Sequence, residues 1–475
     1  MTTEPGEIQT GADYRESLRD GRCVYFNGER IEDVPSHPRF RAGVQVTASS
    51  YDREFERSRN GLASHSDAYP RTQSDLRAQI AEFTSTQAQK DLTWTGTYAS
   101  LMGIESAASQ IQTDHPTYAE RIRTFVSTSR SLNRRCMPTI TDAKGDRMRA
   151  PGEQDDPDQY LRIVDRNTEG IVVKGAKLHI RGASILHDLL VLPTKRMHKG
   201  EEDWAVAFAT PVNAPGVKIM NSGWAVPEAN WAYYPYSKDR TIPFGFVIFD
   251  DVFVPWEKVF LCGEIEFSAS LVHTYGTWNR LTEAGMMASE ADLYVGLGQL
   301  LAEANGVDRV WHIRDKLTEL ILNATLIRAG VEAAIANSIE SPDGFLVPAE
   351  LYTNVAKYYA AMNMPRMMGL LQDIAGGAIV NSPMPGDLEC DEMGSFARKY
   401  MQGADDVDGE YRTRLMYGAR DIASDWFSGY AQVLGLHGAG GPFAHRLVAR
   451  KVYDIVAAKQ HAREALGLDQ SGKTD

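Results

Sequence analysis

Apolar positions change their period twice along the chain. In the first third, Leu76, Ile80 and Phe83 recur at helical spacing behind Ser74, a residue type that caps helices, so the spacing predicts a helix from there. Helix is expected to continue, with breaks, through Trp94, Tyr98, Leu101 and Met102, and to return over 118–131. Ahead of these, residues 10–40 read as a short polar helix (12–20) and two strand-like runs, Cys23–Phe26 and 29–34. The Asn27-Gly28 pair between those runs is a strong hairpin signal.

Near Pro138 the pattern turns to short, β-branched runs: 170–173, 189–192, 205–210 and 246–249. Gly, Pro, Asn and Asp punctuate them, as expected of a small antiparallel barrel or sandwich. A turn is expected at Lys174-Gly175, with a second strand ending at Arg181-Gly182-Ala183. After about Ser268 the helical period returns. Ile313, Leu317, Leu320, Ala324, Ile327, Val331 and Ile335 make one apolar stripe, and further helices are expected over 351–364, 394–401, 411–434 and 443–466. Short polar loops between them favour an antiparallel bundle. The pattern divides the chain into a mainly helical part (1–137), a β domain (138–267) and a helical bundle (268–475), with 469–475 as a frayed tail.

Composition narrows the function classes. The chain has 475 residues, 43% of them hydrophobic, enough for a large core. A formal net charge of −13 disfavours nucleic acid and anionic membrane surfaces as partners. Cys23, Cys136, Cys262 and Cys390 show neither CxxC spacing nor pairing with His, so reduced thiols in the cytoplasm and no metal site are expected. No run reaches the roughly 18 apolar residues of a membrane span, and no signal or transit peptide is visible at the N-terminus.

Candidate chemistry centres on 139–192. The loop Thr141-Asp142-Ala143-Lys144-Gly145-Asp146-Arg147 offers backbone N–H groups and fixed charges to an anionic cofactor, and the strand beside it offers a rigid wall. The same loop also reads as a solvated charged turn. Gly438-Ala439-Gly440-Gly441 reads either as a close backbone approach to a ligand or as a helix–helix connection. Asp250-Asp251 is expected to shape a turn before Pro255, and Trp94, Tyr275 and Trp278 suit either a core or an aromatic-tolerant pocket. No G-x-G-x-x-G follows an early strand, and no Ser-His-Asp order, HExxH or P-loop is present.

Four blocks carry a family resemblance: residues 10–38, GIVVKGAKLHIRGASILHD, FVIFDDVFVPWEKVFLCGE and NGVDRVWHIRDKLTEL. Together they resemble the 4-hydroxyphenylacetate 3-hydroxylase oxygenase family, which includes the 4-hydroxybutyryl-CoA dehydratases. The resemblance implies a mostly α, α+β, acyl-CoA dehydrogenase-like fold and FAD as cofactor. It assigns Thr141, Asp142, Lys144, Gly145, Asp146 and Arg147 to a loop that contacts FAD, and Gly438, Gly440 and Gly441 to a C-terminal loop that touches it, often from a neighbouring subunit. The strand after Gly175 then faces the flavin, with Arg181 at the position where relatives carry Thr and Gly182 beside it among the cofactor-binding residues. Arg181 either faces the ring, stabilising negative charge, or points to solvent or a carboxylate. His187 aligns with a family histidine and reads equally as a structural hydrogen-bonder.

Two family signatures are absent. The positions of the dehydratases' iron–sulfur ligands fall at Thr97, Leu101, Asn279 and Met286, none a thiolate, so no cluster is expected. The hydroxylases' phenol-binding residues fall near Thr95, Ala99 and Arg134; Tyr98 lies one position from the family tyrosine. Arg134 suits either a substrate carboxylate or phenolate, or a surface role. The resemblance implies a monooxygenase that takes reduced FAD from a separate flavin reductase, uses dioxygen on a small organic substrate, and assembles as a homotetramer or homodimer. Arg181, His187, Arg134 and Tyr98 are its candidate catalytic residues. A cluster-free flavin-dependent dehydratase, isomerase or cyclase, and a non-catalytic flavin binder, stay open beside it.

Overall fold

The computed structural model describes residues 9–61, 68–85, 88–224, 231–240, 242–405 and 407–468. The expected tail at 469–475 lies outside them.

Helix α1 (Gly11–Ser17) starts at Thr10, whose hydroxyl accepts from the Asp13 N–H while the Asp13 carboxylate bonds back. Strands β1 (Cys23–Phe26) and β2 (Glu29–Ile31) pair antiparallel across Asn27 (φ 50°) and Gly28 (φ 85°), the two left-handed residues that a tight hairpin requires. Helix α2 (Pro38–Arg59) has no counterpart among the helices the pattern marks. Its buried face, Phe40, Val44, Thr47, Ala48 and Tyr51, has helical spacing, but alanines, serines and threonines dilute the apolar signal. Helix α3 (Gln73–Thr84) is capped by Thr72, with Asp75 closing the box, so Ser74 lies inside the first turn rather than at the cap. Helices α4 (Leu92–Ile111) and α5 (Pro116–Ser131) follow.

The middle of the chain forms β3 (Cys136–Thr139), β4 (Arg162–Arg166), β5 (Gly170–Arg181), β6 (Asp188–Val191), β7 (Val206–Pro211), β8 (Val217–Asn221), β9 (Phe244–Pro255) and β10 (Val259–Cys262). One sheet runs β2-β1-β8-β9-β5-β4 and the other β10-β7-β6-β3; among the described residues of these sheets, β1·β8 and β3·β6 are the parallel pairs. Their inner faces share one core that includes Ile171, Leu189, Phe208, Ile219, Val247 and Phe249. The turn expected at Lys174-Gly175 is instead a bulge within the single strand β5. Gly175 (φ 133°) shifts the register against β9 and lets Leu161 pack where a side chain would stand. A second bulge between Lys177 and Ile180 puts His179 at φ 64° and aims the end of the strand at the C-terminal helices.

Helix α6 (Ser268–Ala304) packs along α4, close enough at Gly103 that a Cβ would stand 2.4 Å from the Tyr275 Cα. Helix α7 (Trp311–Ala336) buries all seven residues of the expected stripe. The small hairpin β11 (Ile339–Glu340) and β12 (Leu346–Val347) leads to α8 (Glu350–Ala375), which packs on α6 and α7. After α9 (Ala378–Asn381), α10 (Pro385–Glu389) and α11 (Gly394–Met401), the two long helices expected last are each split. Asp425 caps a new helix between α12 (Gly409–Ala423) and α13 (Trp426–His437), and Asp454 does so between α14 (Pro442–Val452) and α15 (Ile455–Ala465). Among the described residues no helix is long and apolar enough to cross a membrane.

Candidate active site

The end of β5 meets α6, α8 and α13 at a half-open cleft. Arg181, the last residue of β5, turns into it, and the chain then reverses at Gly182 (φ 70°), whose N–H donates to the Pro243 carbonyl at 2.7 Å. Opposite stands Glu283 of α6, one carboxylate oxygen 3.3 Å from Arg181 Nη2 and the other 3.5 Å from Lys357 Nζ of α8. Lys357 is fully buried and donates to the Gly435 carbonyl of α13 at 2.6 Å. Burial drags its ammonium below the usual lysine range, while Glu283 pulls it back up. One carboxylate thus ties strand, bundle and α13 together in a low-dielectric junction.

Directly after α13 comes the glycine loop. Gly438 presses against Glu283, where a Cβ would stand 2.8 Å from a carboxylate oxygen. Ala439 (φ 57°) and Gly440 (φ 94°) are left-handed. The Ala439 carbonyl accepts from Arg280 Nε at 3.1 Å and faces His445 Nε2 at 3.3 Å. Arg280 Nη1 and His445 Nδ1 are buried without hydrogen-bond partners. Burial, reinforced by Arg280 and Lys357, pushes the His445 imidazole down to about 4, so it is neutral at physiological pH.

The 141–147 loop is anchored by a buried ion pair. Asp142 Oδ1 lies 2.8 Å from Lys177 Nζ on β5 and accepts the Leu161 N–H at 2.9 Å. Lys177 also donates to the carbonyls of Ile140 (2.8 Å) and Leu192 (3.1 Å). Burial works against both charges, but this ring of partners sustains them. The Thr141 carbonyl accepts the Leu178 N–H at 2.6 Å, and Lys144 (φ 73°) and Gly145 (φ 48°) turn the loop outward. His179 on β5 is held below its ordinary value by burial and by the charges of Lys144, His437 and Arg147. His437 ends α13 beside Gly441 of the glycine loop.

Three other predicted residues have partners elsewhere. The Tyr98 hydroxyl donates to Gln79 Oε1, and its ring packs on Phe83 and Trp278. His187 accepts the Arg135 N–H on Nδ1 at 2.9 Å and meets Ser17 Oγ through Nε2 at 3.0 Å; burial drives it well below the usual histidine range. Arg134 makes a bidentate pair with Asp188, 2.6 and 3.0 Å. None of the three lines the cleft. The turn expected at Asp250-Asp251 is instead the β9 side of the bulge at Gly175: the two residues lie between Phe249, which pairs with Gly175, and Val252, which pairs with Val173, with Asp251 left-handed (φ 53°) and Asp250 paired with Lys218 at 2.7 Å. Trp94, Tyr275 and Trp278 join the core.

Glu283, Arg280 and Lys357 were missed by sequence reasoning. The available signal was charge at positions where α6 and α8 are otherwise buried and apolar. Thr97 and Leu101 lie on the packed helix α4 and Asn279 and Met286 on α6, where Thr97 bonds to the Cys136 carbonyl at 3.0 Å and Met286 lines the cleft. Among the described residues no group of three or more His, Cys, Asp or Glu is placed to hold a metal ion.

Comparison with known proteins gives the same architecture. The family model for the 4-hydroxyphenylacetate 3-hydroxylase N-terminal region matches residues 10–261, and that for the C-terminal region matches 268–467. The chain is 28% identical to the 4-hydroxybutyryl-CoA dehydratase/vinylacetyl-CoA-Δ-isomerase of Clostridium aminobutyricum, over 97% of its own length and 100% of that protein. It is 26% identical to the 4-hydroxyphenylacetate 3-monooxygenase oxygenase component of Thermus thermophilus, over 96% and 97%. Among solved structures, an oxygen-tolerant archaeal 4-hydroxybutyryl-CoA dehydratase from N. maritimus superposes with a TM-score of 0.85 at 28% identity, covering 98% of this chain and 96% of that one. The oxygenase component of 4-hydroxyphenylacetate 3-monooxygenase complexed with FAD gives 0.84 at 25% identity, covering 97% and 100%. The chain belongs to the 4-hydroxyphenylacetate 3-hydroxylase family and has the acyl-CoA dehydrogenase-like fold expected from its sequence.

Proposed function

We propose that this protein is the oxygenase component of a two-component, FAD-dependent monooxygenase acting on a small organic substrate. The observation that carries the reading is the cleft at the end of β5, into which Arg181 projects toward Glu283, with the 438–441 loop packed against that same carboxylate. A family relative has been solved with FAD. The residues here suit such a group: two left-handed positions bring backbone close, Lys144 and Arg147 supply charge, and Arg280 Nη1 is a buried donor in want of an acceptor.

Reduced flavin, delivered by a separate reductase, supplies the activation of dioxygen. Thr141, Asp142, Lys144, Gly145, Asp146 and Arg147 would hold it on one side, and Gly438, Gly440 and Gly441 on the other. Arg181, kept in place by Glu283, would stabilise negative charge at the head of the cleft. The apolar walls would exclude water from the reacting groups. Tyr98, His187 and Arg134 fit a supporting role better than contact with substrate, given their partners. Outward apolar residues on α14 and α15, such as Phe443 and Val456, support assembly with further copies of the chain as a dimer or tetramer.

A redox-neutral elimination or isomerisation is the second reading, favoured by the full-length similarity to the dehydratase. Against it stand Thr97, Leu101, Asn279 and Met286 at the cluster positions. Loading the protein with FAD, reducing it anaerobically and mixing it with oxygenated buffer in a stopped-flow spectrophotometer separates the two. Reoxidation through a transient that absorbs differently from oxidised and reduced flavin is expected. Single-phase reoxidation yielding only hydrogen peroxide counts against the oxygenase, and failure to bind FAD sinks both readings.

A further inference from the structure

From the Arg181 end, the cleft runs between α6, α8 and α13 toward the segment 231–240. Met286 and Met287 of α6 and Met364 and Met368 of α8 wall it on two sides, with Phe427 and Leu434 of α13 completing it. Methionine side chains are unbranched and polarizable, with three rotatable bonds, so a wall of four adapts to a flexible alkyl body rather than gripping a flat ring in a fixed slot.

At the far end lies Arg240. Its guanidinium stacks 3.8 Å over the Tyr236 ring, and Nη1 donates to the Tyr236 carbonyl at 2.8 Å. Its Nε, by contrast, is buried without a hydrogen-bond partner. Asp239 does not neutralise it fully, because that carboxylate is shared: 3.3 Å from Arg240 Nη1 and 2.5 Å from Lys90 Nζ. Two further acids stand at this end: Glu290 accepts from the Tyr294 hydroxyl at 2.9 Å, its carboxyl raised by burial against the pull of that bond and of Arg240, and Asp421 is taken up by the N–H groups of Tyr236 and Ser237, each at 2.8 Å. The apolar chamber therefore ends in a cation whose nearest carboxylate is shared with Lys90 and whose Nε is an unused donor. Such a group is costly to bury alone and binds an anionic acceptor strongly.

We propose that the cleft binds a medium-chain aliphatic carboxylate, its carboxylate accepting from Arg240 Nε and its alkyl chain lying along the four methionines toward Arg181. This deepens the proposed function by giving the substrate a chemical class, and it rests on that reading only for the fate of the ligand. Binding is tested without turnover, so failure of the flavin reading leaves it measurable.

The test is isothermal titration of the full chain with octanoate, with octanamide as the uncharged counterpart, alongside a separate FAD titration. Octanoate should bind about tenfold or more tightly than octanamide. Arg240→Gln should bring octanoate down to the affinity of octanamide, and Met364→Trp, which fills the chamber without touching the cation, should weaken both ligands. Retained secondary structure and an unchanged FAD titration certify that each variant is folded. No binding of octanoate by the wild-type protein, or equal affinity for acid and amide, or an Arg240→Gln variant that binds octanoate as before, overturns the proposal whatever the flavin result.

Discussion

The carboxylate of Glu283 stands 3.3 Å from the guanidinium of Arg181, at the seam between the end of β5 and the C-terminal bundle. Its second oxygen faces Lys357 at 3.5 Å, so two buried cations from different parts of the chain share one counter-charge. Glu283→Gln leaves both without it. Removing one partner of a buried ion pair typically costs about 3–5 kcal/mol, so a clear fall in the urea midpoint at pH 7 is expected. An unchanged midpoint would show that the seam is wetter than its geometry implies.

Arg181→Thr replaces the guanidinium by a small neutral hydroxyl. If Arg181 faces the flavin, the bound cofactor's midpoint potential should fall, because a fixed cation favours the reduced, more negative form. Spectroelectrochemical titration of the two holoproteins checks this. An identical potential would place the arginine away from the ring.

His445 gives a pH signature. Burial holds its folded value near 4, against an ordinary 6.5 in the unfolded chain. A group depressed in this way contributes stability that is fully present above about pH 6.5 and is lost as pH falls toward 4. His187, also buried and depressed, acts in the same direction. His445→Gln should therefore flatten part of the decline in stability between pH 6.5 and 4, measured by urea midpoints across that range. A pH profile parallel to that of the wild type would contradict a buried neutral imidazole.

The glycine loop tests backbone approach. Gly440→Ala forces a left-handed residue (φ 94°) to carry a Cβ, at a cost of about 1–2 kcal/mol. Gly438→Ala drives a methyl to 2.7 Å from the Leu434 carbonyl and 2.8 Å from Glu283. Both should weaken FAD binding by about tenfold or more in a fluorescence titration, if the loop touches the cofactor.

Arg134 is expected to behave differently. Its bidentate bond to Asp188 joins the start of β3 to β6, and its side chain is 32% exposed, so solvent screens part of the pair's strength. Arg134→Gln should cost about 1–2 kcal/mol of stability while leaving FAD and octanoate affinity unchanged. A selective loss of ligand affinity at unchanged stability would return Arg134 to the site.

Elements with strong local signals were legible without coordinates. The Asn27-Gly28 hairpin, the α7 stripe and the β-branched runs of the middle segment all appear where the pattern put them, since turn chemistry and side-chain period act over a few residues. Helix α2 escaped because small and polar residues fill much of a face that burial alone makes apolar. The Lys174-Gly175 bulge read as a turn because a left-handed glycine serves both, and only pairing with β9 distinguishes them.

By itself, the sequence determined the order of helices, sheets and helices, and the family to which the chain belongs. These are matters of residue type and short-range spacing. Only the tertiary structure decided that Arg181 and Lys357 share Glu283, that Tyr98, His187 and Arg134 already hold partners, and that Arg240 closes a methionine-lined chamber. Those pairings join residues as much as 170 positions apart in the chain. The charge balance of each depends on which groups are buried together, a property that no local window contains.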